Sequence, residues 1–198
     1  DRELDVRTRA GLPVPLVDLR IVDEDMCEQP RDGVSPGEVV VRAPWLTQGY
    51  YRNEAASETL WAGGFLHTSD IGVIGADGYL RITDRIKDVI KTGGEWLSSL
   101  QLEDLISRHP AVAEVAVIGI PDTRWGERPL PLVVPKPGQT VDVASLCEHL
   151  SAWVERGEIS RFALPEQVLM VESIARTSVG KINKKLLREQ YHGGIART

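Results

Sequence analysis

The sequence predicts an α+β fold in two parts: a small β-rich region over residues 1–85, then a small α+β domain over residues 86–198 with a three-stranded sheet and flanking helices. Three observations carry this. Short β-branched runs bounded by Gly, Pro and Asp dominate before residue 86, with a single short helical stretch among them. After Arg85, helical periodicity alternates with apolar runs. Apolar residues make up 42% of the 198, enough to bury the core of one ordinary domain or two small ones.

Taken in order, Val17 to Asp23 and Glu38 to Arg42 read as strands, and Asn53 to Glu58 as the one short helix of the first part. Ile71 to Ile74 and Tyr79 to Thr83 flank Asp77-Gly78, a dipeptide suited to a two-residue type I′ turn, and so predict a hairpin. In the second part Ser98, with Gln101 three residues on, offers a capping box for a helix that stops before Pro110. Ala116 to Ile120, Leu132 to Val134 and Val168 to Val171 give the three strands. Val143, Leu146, Cys147, Leu150 and Val154 recur at helical spacing up to Gly157. A last helix begins near Asn183 and carries Leu186, Leu187 and Tyr191, and the tail from His192 is expected to fray.

Charge and cysteine usage exclude several classes. A net charge of −6 argues against nucleic-acid binding through bulk electrostatics. Residues 1–85 hold nine Arg, no Lys and fifteen acids, whereas the second part is balanced with fourteen of each sign. Within it Arg176, Lys181, Lys184, Lys185 and Arg188 run without an intervening acid, which suits a polyanionic ligand or a solvated helix, composition favouring the helix. Cys27 and Cys147 lack the spacing of a zinc site or disulfide framework, which fits a reducing cytoplasm. No apolar run approaches a membrane span, and the start lacks a secretory segment. With no initiator Met, the chain reads as a piece of something longer. No GxSxG elbow and no GxGxxG after a strand occurs, and His67, His109, His149 and His192 do not cluster in sequence.

Three constellations remain. If Asp77 and Gly78 form the hairpin loop, Asp70 falls opposite Arg85 on the same face; a four-residue loop would slip that register by about two residues. The pair reads as a surface ion pair, or as a carboxylate able to take both hydrogens of a cis-diol beside a guanidinium that donates to ribose or phosphate oxygens. Lys91-Thr92-Gly93-Gly94-Glu95-Trp96 joins two glycines, which permit close backbone approach or positive φ, to a flat apolar ring. Arg176-Thr177-Ser178-Val179-Gly180-Lys181 places a Lys on a loop before the last helix; Ala175 stands where a Walker loop needs its first Gly.

In this order the segments resemble the adenylate-forming (AMP-binding) superfamily of acyl-CoA synthetases, luciferase and peptide-synthetase adenylation domains. Gly37-Glu38-Val39 through Gly49-Tyr50-Tyr51 looks like its GE(L/V)…GYY segment, and Phe65 to Asp70 like its (H/R)TGD motif. Asp84-Arg85-Ile86-Lys87-Asp88 is similar to the segment joining its large and small domains, and Arg176 to Lys181 to its terminal lysine motif. Gly93 to Ser99 is most like the medium- and long-chain fatty acyl-CoA ligases. Ser69 departs from the family's Gly before Asp70, and Ala175 from a common Pro.

The resemblance implies a two-step reaction, adenylation of a carboxylic acid with ATP and transfer of the acyl group to CoA. The alternatives it leaves are an adenylation domain loading a carrier protein and a non-catalytic interaction module of the same fold. It implies that residues 1–85 close the large N-terminal domain and 86–198 form the lid. Asp70, Arg85, Ile82 and Trp96 would contact the nucleotide, Lys87 would be the hinge, Lys181 and Lys91 would be catalytic, and Gly93 and Gly94 would face CoA. Mg2+ is implied with ATP, its ligand expected upstream. No nucleic-acid partner is implied, and homo-oligomerisation is left open.

Overall fold

The structure, a computed structural model, describes residue 7 and residues 9–191. The tail expected to fray from His192 lies outside the described residues. The chain divides into two compact units between Lys87 and Asp88.

The first unit is a four-stranded antiparallel meander in the order β1-β2-β3-β4, with β1 at Asp18–Val22, β2 at Gly37–Arg42, β3 at Leu66–Ile74 and β4 at Leu80–Arg85. Helix α1, Glu54–Leu60, lies between β2 and β3, and the Asn53 side chain caps it by accepting the Ala56 N–H. Val22, Val40 and Phe65 form a small core beneath Met26. The Arg20 and Arg42 guanidiniums lie over the Phe65 ring at 4.9 and 4.7 Å, and both bind Asp18.

The β3–β4 hairpin corrects the expected turn. Ile74 pairs with Leu80, the Gly75 N–H donates to the Tyr79 carbonyl at 3.1 Å, and the Gly78 N–H to the Gly75 carbonyl at 2.8 Å. The loop therefore has three residues, Ala76, Asp77 and Gly78, with Gly78 at φ 81°, rather than the two of a type I′ turn. The Asp77 carboxylate accepts the Tyr79 N–H and binds Arg9, which together hold its pKa below the ordinary value. That arrangement uses Asp77 as a local acceptor at the start of an Asx turn. The extra loop residue slips the register by one, and a bulge between Ile71 and Gly72 restores it, so Asp70 does face Arg85.

The second unit holds β5 (Ile90–Thr92), β6 (Glu95–Leu97), α2 (Ser99–Ser107), β7 (Val112–Asp122), β8 (Gly126–Pro135), α3 (Val143–Glu155), β9 (Leu169–Met170) and α4 (Lys184–Tyr191). The α+β class holds, but the sheet has five strands rather than three. Its order is β6-β5-β8-β7, antiparallel, with β9 parallel beside β8. The missed strands β5 and β6 are three residues each, too short for an alternating pattern, and they meet at a Gly-Gly turn. Ser98 caps α2 by accepting the Gln101 N–H, and the Gln101 side-chain amide donates to the Glu158 carbonyl. A complete capping box opens α3, between Asp142 and Ser145.

Helices cover both faces of this sheet, which is why residues 115–120 of β7 read as an unbroken apolar run. Val115, Val117 and Val133 pack with Leu102, Leu146 and Leu150 in one core, while Ile118, Leu130 and Leu132 meet Leu187 of α4 in the other. Pro129 and Pro131 sit in β8 without breaking it. Val133 accepts from Val171 on the side away from β7, so alternate residues 129 and 131 turn their missing N–H groups to that same side. There, β5 pairs only at Gly126 and β9 only from Leu132, leaving the two prolines unpaired on that edge.

Candidate functional site

In the first unit the predicted Asp70–Arg85 pair is real: Arg85 Nε lies 3.5 Å from Asp70 Oδ1, with the side chains 61% and 36% exposed. Both line an open cleft of about 360 Å³ with Thr68, Ser69, Ile86 and Lys87. The backbone builds its wall, since the Ile86 N–H donates to the Ser69 carbonyl at 2.9 Å. Ser69 takes φ 61°, the left-handed region that Gly would adopt more easily. Ile82 is exposed on β4, paired with Gly72, and is not part of the cleft lining. An exposed ion pair of this length contributes little stability, roughly 0–1 kcal/mol. Its acceptor and donors lie open to a ligand carrying hydroxyls and negative charge.

In the second unit, Gly93 and Gly94 are the two loop residues of the β5–β6 hairpin, at φ 58° and 82°, flanked by the Thr92–Glu95 pair. Positive φ at both is the type I′ signature. A Cβ on Gly93 would lie 2.7 Å from the Phe162 ring, whereas a Cβ on Gly94 would meet nothing within 4 Å. The Phe162 ring is braced by an edge contact with Trp125, centroids 5.1 Å apart, and the Arg128 guanidinium grips the Phe162 and Leu164 carbonyls at 3.2 and 2.9 Å. Lys91 pairs with Trp96 across the hairpin and its Nζ stands 4.9 Å from the centre of that ring. The Glu127 carboxylate accepts the Lys91 N–H at 2.8 Å and fixes the hairpin to the start of β8.

Lys181 lies elsewhere. Arg176 and Ile182 bridge, the Thr177 N–H donates to the Lys181 carbonyl at 2.7 Å, and Gly180 sits at φ 81°, so Lys181 closes a three-residue loop. Arg176 holds this loop by donating to the Gly180 carbonyl at 3.0 Å and to Glu114 at 2.8 Å. The Lys181 ammonium is exposed and has no ion-pair partner among the described residues. Glu114 lies near the start of β7, while Lys91 is anchored where β7 ends and β8 begins. The loops bearing the two lysines thus occupy opposite ends of one ladder, their anchors Glu114 and Glu127 separated by about seven residues of strand or roughly 23 Å.

The basic run of the sequence is not a polyanion surface. Besides Arg176, Lys184 is buried with 8% of its side chain exposed, its Nζ 2.8 Å from Glu103 Oε1 and 2.7 Å from Ser99 Oγ. Arg188 binds Asp88 at 2.8 Å, and Lys185 reaches only Glu189 on its own helix at 3.9 Å. Glu103, Glu127, Arg128 and Phe162 went unnoticed in the sequence because their partners are 14 to 81 residues away and no local spacing marks them.

Comparisons with known proteins say what this α+β frame is similar to. Residues 101–181 match the AMP-binding enzyme C-terminal domain, and the chain belongs to the adenylate-forming enzymes that carry it. It is 45% identical over 192 residues to a long-chain-fatty-acid–CoA ligase of Thermus thermophilus, covering 96% of this chain and 35% of the relative. It is 38% identical to a 3-methylmercaptopropionyl-CoA ligase of Ruegeria pomeroyi, covering 94% of this chain and 33% of that protein. The crystal structure of ATP-bound MatB from Rhodopseudomonas palustris superposes with a TM-score of 0.78 at 33% identity, over 93% of this chain and 36% of that one. The chain therefore spans about a third of the length of the curated relatives it matches.

Proposed function

We propose that this chain is the C-terminal portion of an AMP-forming acid–CoA ligase, and that the acid is a fatty acid. In the first step a carboxylate oxygen attacks the α-phosphorus of ATP and pyrophosphate leaves. In the second the CoA sulfur attacks the acyl carbon of acyl-AMP, the thiol gives up its proton, and AMP leaves. Residues 1–85 would close the nucleotide-binding domain and residues 86–198 would form a lid turning about Lys87. Asp70 and Arg85 would hold the ribose, with Ile82 and Trp96 against the nucleotide. Lys181 would neutralise charge at the α-phosphate, while Lys91 with Gly93 and Gly94 would serve the thioester step. Mg2+ is proposed to accompany the ATP phosphates, and a reducing cytoplasm is proposed as the setting for two unpaired cysteines.

The observation that carries this reading is the placement of Lys91 and Lys181 at opposite ends of the β7–β8 ladder, which suits two reactions served in turn by one small domain. The fatty-acid assignment is supported by the names of two relatives, the long-chain-fatty-acid–CoA ligase of Thermus thermophilus and a medium-chain-fatty-acid–CoA ligase of Ectopseudomonas oleovorans. Single-turnover assays of each half-reaction in the full-length ligase, with synthetic acyl-AMP for the second, test it. Lys181→Ala is expected to slow acyl-AMP formation by at least about 100-fold, the scale for losing one preorganised charge-stabilising donor, and to leave thioester formation from supplied acyl-AMP. Lys91→Ala is expected to do the reverse. Equal loss of both half-reactions in both folded variants would defeat the two-ended reading.

A further inference from the structure

The strand that presents Asp70 is held by two residues with no role so far, Glu38 on β2 and His67 on β3. The β2–β3 register shifts between Glu38 and Val40. Val40 pairs with His67 and Glu38 with Ile71, so Thr68, Ser69 and Asp70 stand against the single residue Val39. The bulge is tied locally by the Thr68 hydroxyl, which donates to the Val39 carbonyl at 2.7 Å and accepts the Asp70 N–H at 3.1 Å. Its apex is Ser69 at φ 61°, a conformation that needs an external hold in a residue with a Cβ.

Glu38 supplies that hold. Its Oε1 accepts the Ser69 N–H at 3.0 Å and its Oε2 lies 2.8 Å from His67 Nδ1. The other ring nitrogen, Nε2, lies 3.1 Å from the Ala62 carbonyl oxygen. The His67 and Glu38 side chains are only 19% and 12% exposed, so water competes weakly for these contacts. A carbonyl and an ionised carboxylate only accept, and a neutral imidazole has one N–H to give. With Glu38 ionised, both contacts are hydrogen bonds only when both ring nitrogens carry protons, which makes the Glu38 contact a charge-assisted one.

We propose that Glu38 and His67 are positioning residues, an imidazolium–carboxylate latch that fixes the Thr68–Asp70 bulge and so aims the Asp70 carboxylate beside Arg85 for a ribose. The aim of Asp70 at a ribose rests on the nucleotide reading above; the latch itself does not. A donor-only cation at position 67 is what the geometry requires, so an arginine there can replace the histidine whereas an apolar residue cannot.

Two measurements test the latch. Nitrogen NMR of the His67 ring in this chain at pH 7 is expected to show a proton on both nitrogens; one bare nitrogen in the folded chain would overturn the proposal. In the full-length ligase, His67→Leu is expected to raise the KM for ATP in pyrophosphate exchange at least about tenfold, the scale of one charge-assisted hydrogen bond, with little change in kcat. His67→Arg is expected to restore KM to within about twofold of the parent. An unchanged KM in His67→Leu, or an arginine variant as impaired as the leucine one, would overturn the positioning role, and His67→Arg also guards against a leucine variant that fails to fold. Asp70→Ala serves as the control on the nucleotide reading. If it leaves the KM for ATP unchanged, that reading fails, and the ring protonation still decides the latch.

Discussion

Gly93→Ala strikes the point where backbone conformation and packing converge in the second unit. The residue sits at φ 58°, and adopting that left-handed conformation with a Cβ costs about 1–2 kcal/mol. The new Cβ would also stand 2.7, 2.8 and 3.0 Å from three atoms of the Phe162 ring. That ring has little room to retreat, because Arg128 grips the carbonyls of Phe162 and Leu164 and Trp125 makes an edge contact with it. Overpacking of this kind costs roughly 1–3 kcal/mol, for a total of about 2–5 kcal/mol. Gly94→Ala is the matched control, since φ is 82° and its Cβ meets nothing, so only the backbone cost of about 1–2 kcal/mol applies. Urea unfolding followed by tryptophan emission measures both, with Trp96 and Trp125 reporting on this unit. A cycle of Gly93→Ala with Phe162→Ala should show a favourable coupling of about 1–3 kcal/mol, because removing the ring removes the clash. If Gly93→Ala cost no more than Gly94→Ala, or if the cycle were additive within about 0.5 kcal/mol, the account of why glycine stands at position 93 would be wrong.

Three further outcomes follow from the same geometry. Ser69→Gly should stabilise the chain by about 0.5–1 kcal/mol, the relief of left-handed strain exceeding the extra entropy a glycine loses on folding, and a lower urea midpoint would contradict it. Lys184→Met should destabilise by about 3–5 kcal/mol because it strands the Glu103 carboxylate in the interior, and adding Glu103→Gln, which still accepts the Val117 N–H, should recover much of the loss in the same unfolding assay. Burial, with the nearby charges of His149 and Lys136, pushes the His109 pKa down from its ordinary value. The unfolded chain then binds the proton more readily, so stability present above about pH 6.5 is lost as pH falls through the depressed value. His109→Gln should flatten the thermal midpoint between pH 7 and pH 5, and an unaltered slope would refute the assignment.

The elements legible in the sequence were those whose pattern is local. The β7 and β8 runs, the 3.6-residue spacing of α3 and the Asp-Gly turn each announced themselves within a dozen residues. The pairing of Asp70 with Arg85 was legible too, though by a path the sequence hid. The loop is one residue longer than the dipeptide suggests and the bulge one residue on the other side cancels it, so two departures left the expected partners facing. β5 and β6 were missed because three residues cannot show a period, and the Gly-Gly that joins them signals close approach as readily as a turn. The basic run before and within α4 was misleading for a related reason. Sequence gives the charges of Arg176, Lys184 and Arg188 but not Glu114, Glu103 and Asp88, which the fold brings to them from 62, 81 and 100 residues away. Lys181, the member of that run that the resemblance had singled out, remained in the open, as did Lys185.

The 2.8 Å bond between Asp88 and Arg188 has a consequence for how the second unit behaves as an object. It joins the first residue of the unit to its last helix, so that a hundred residues of chain start and finish at one spot. A pull or twist delivered at residue 88, the stalk of this unit, therefore reaches the last described helix as well as the first strand. The same bond also means that the position of the stalk is a matter of convenience for the fold. Opening the ring at an exposed turn such as Pro137-Gly138, and sealing it where Asp88 and Arg188 already touch, would leave every strand of the sheet with the neighbours it has now.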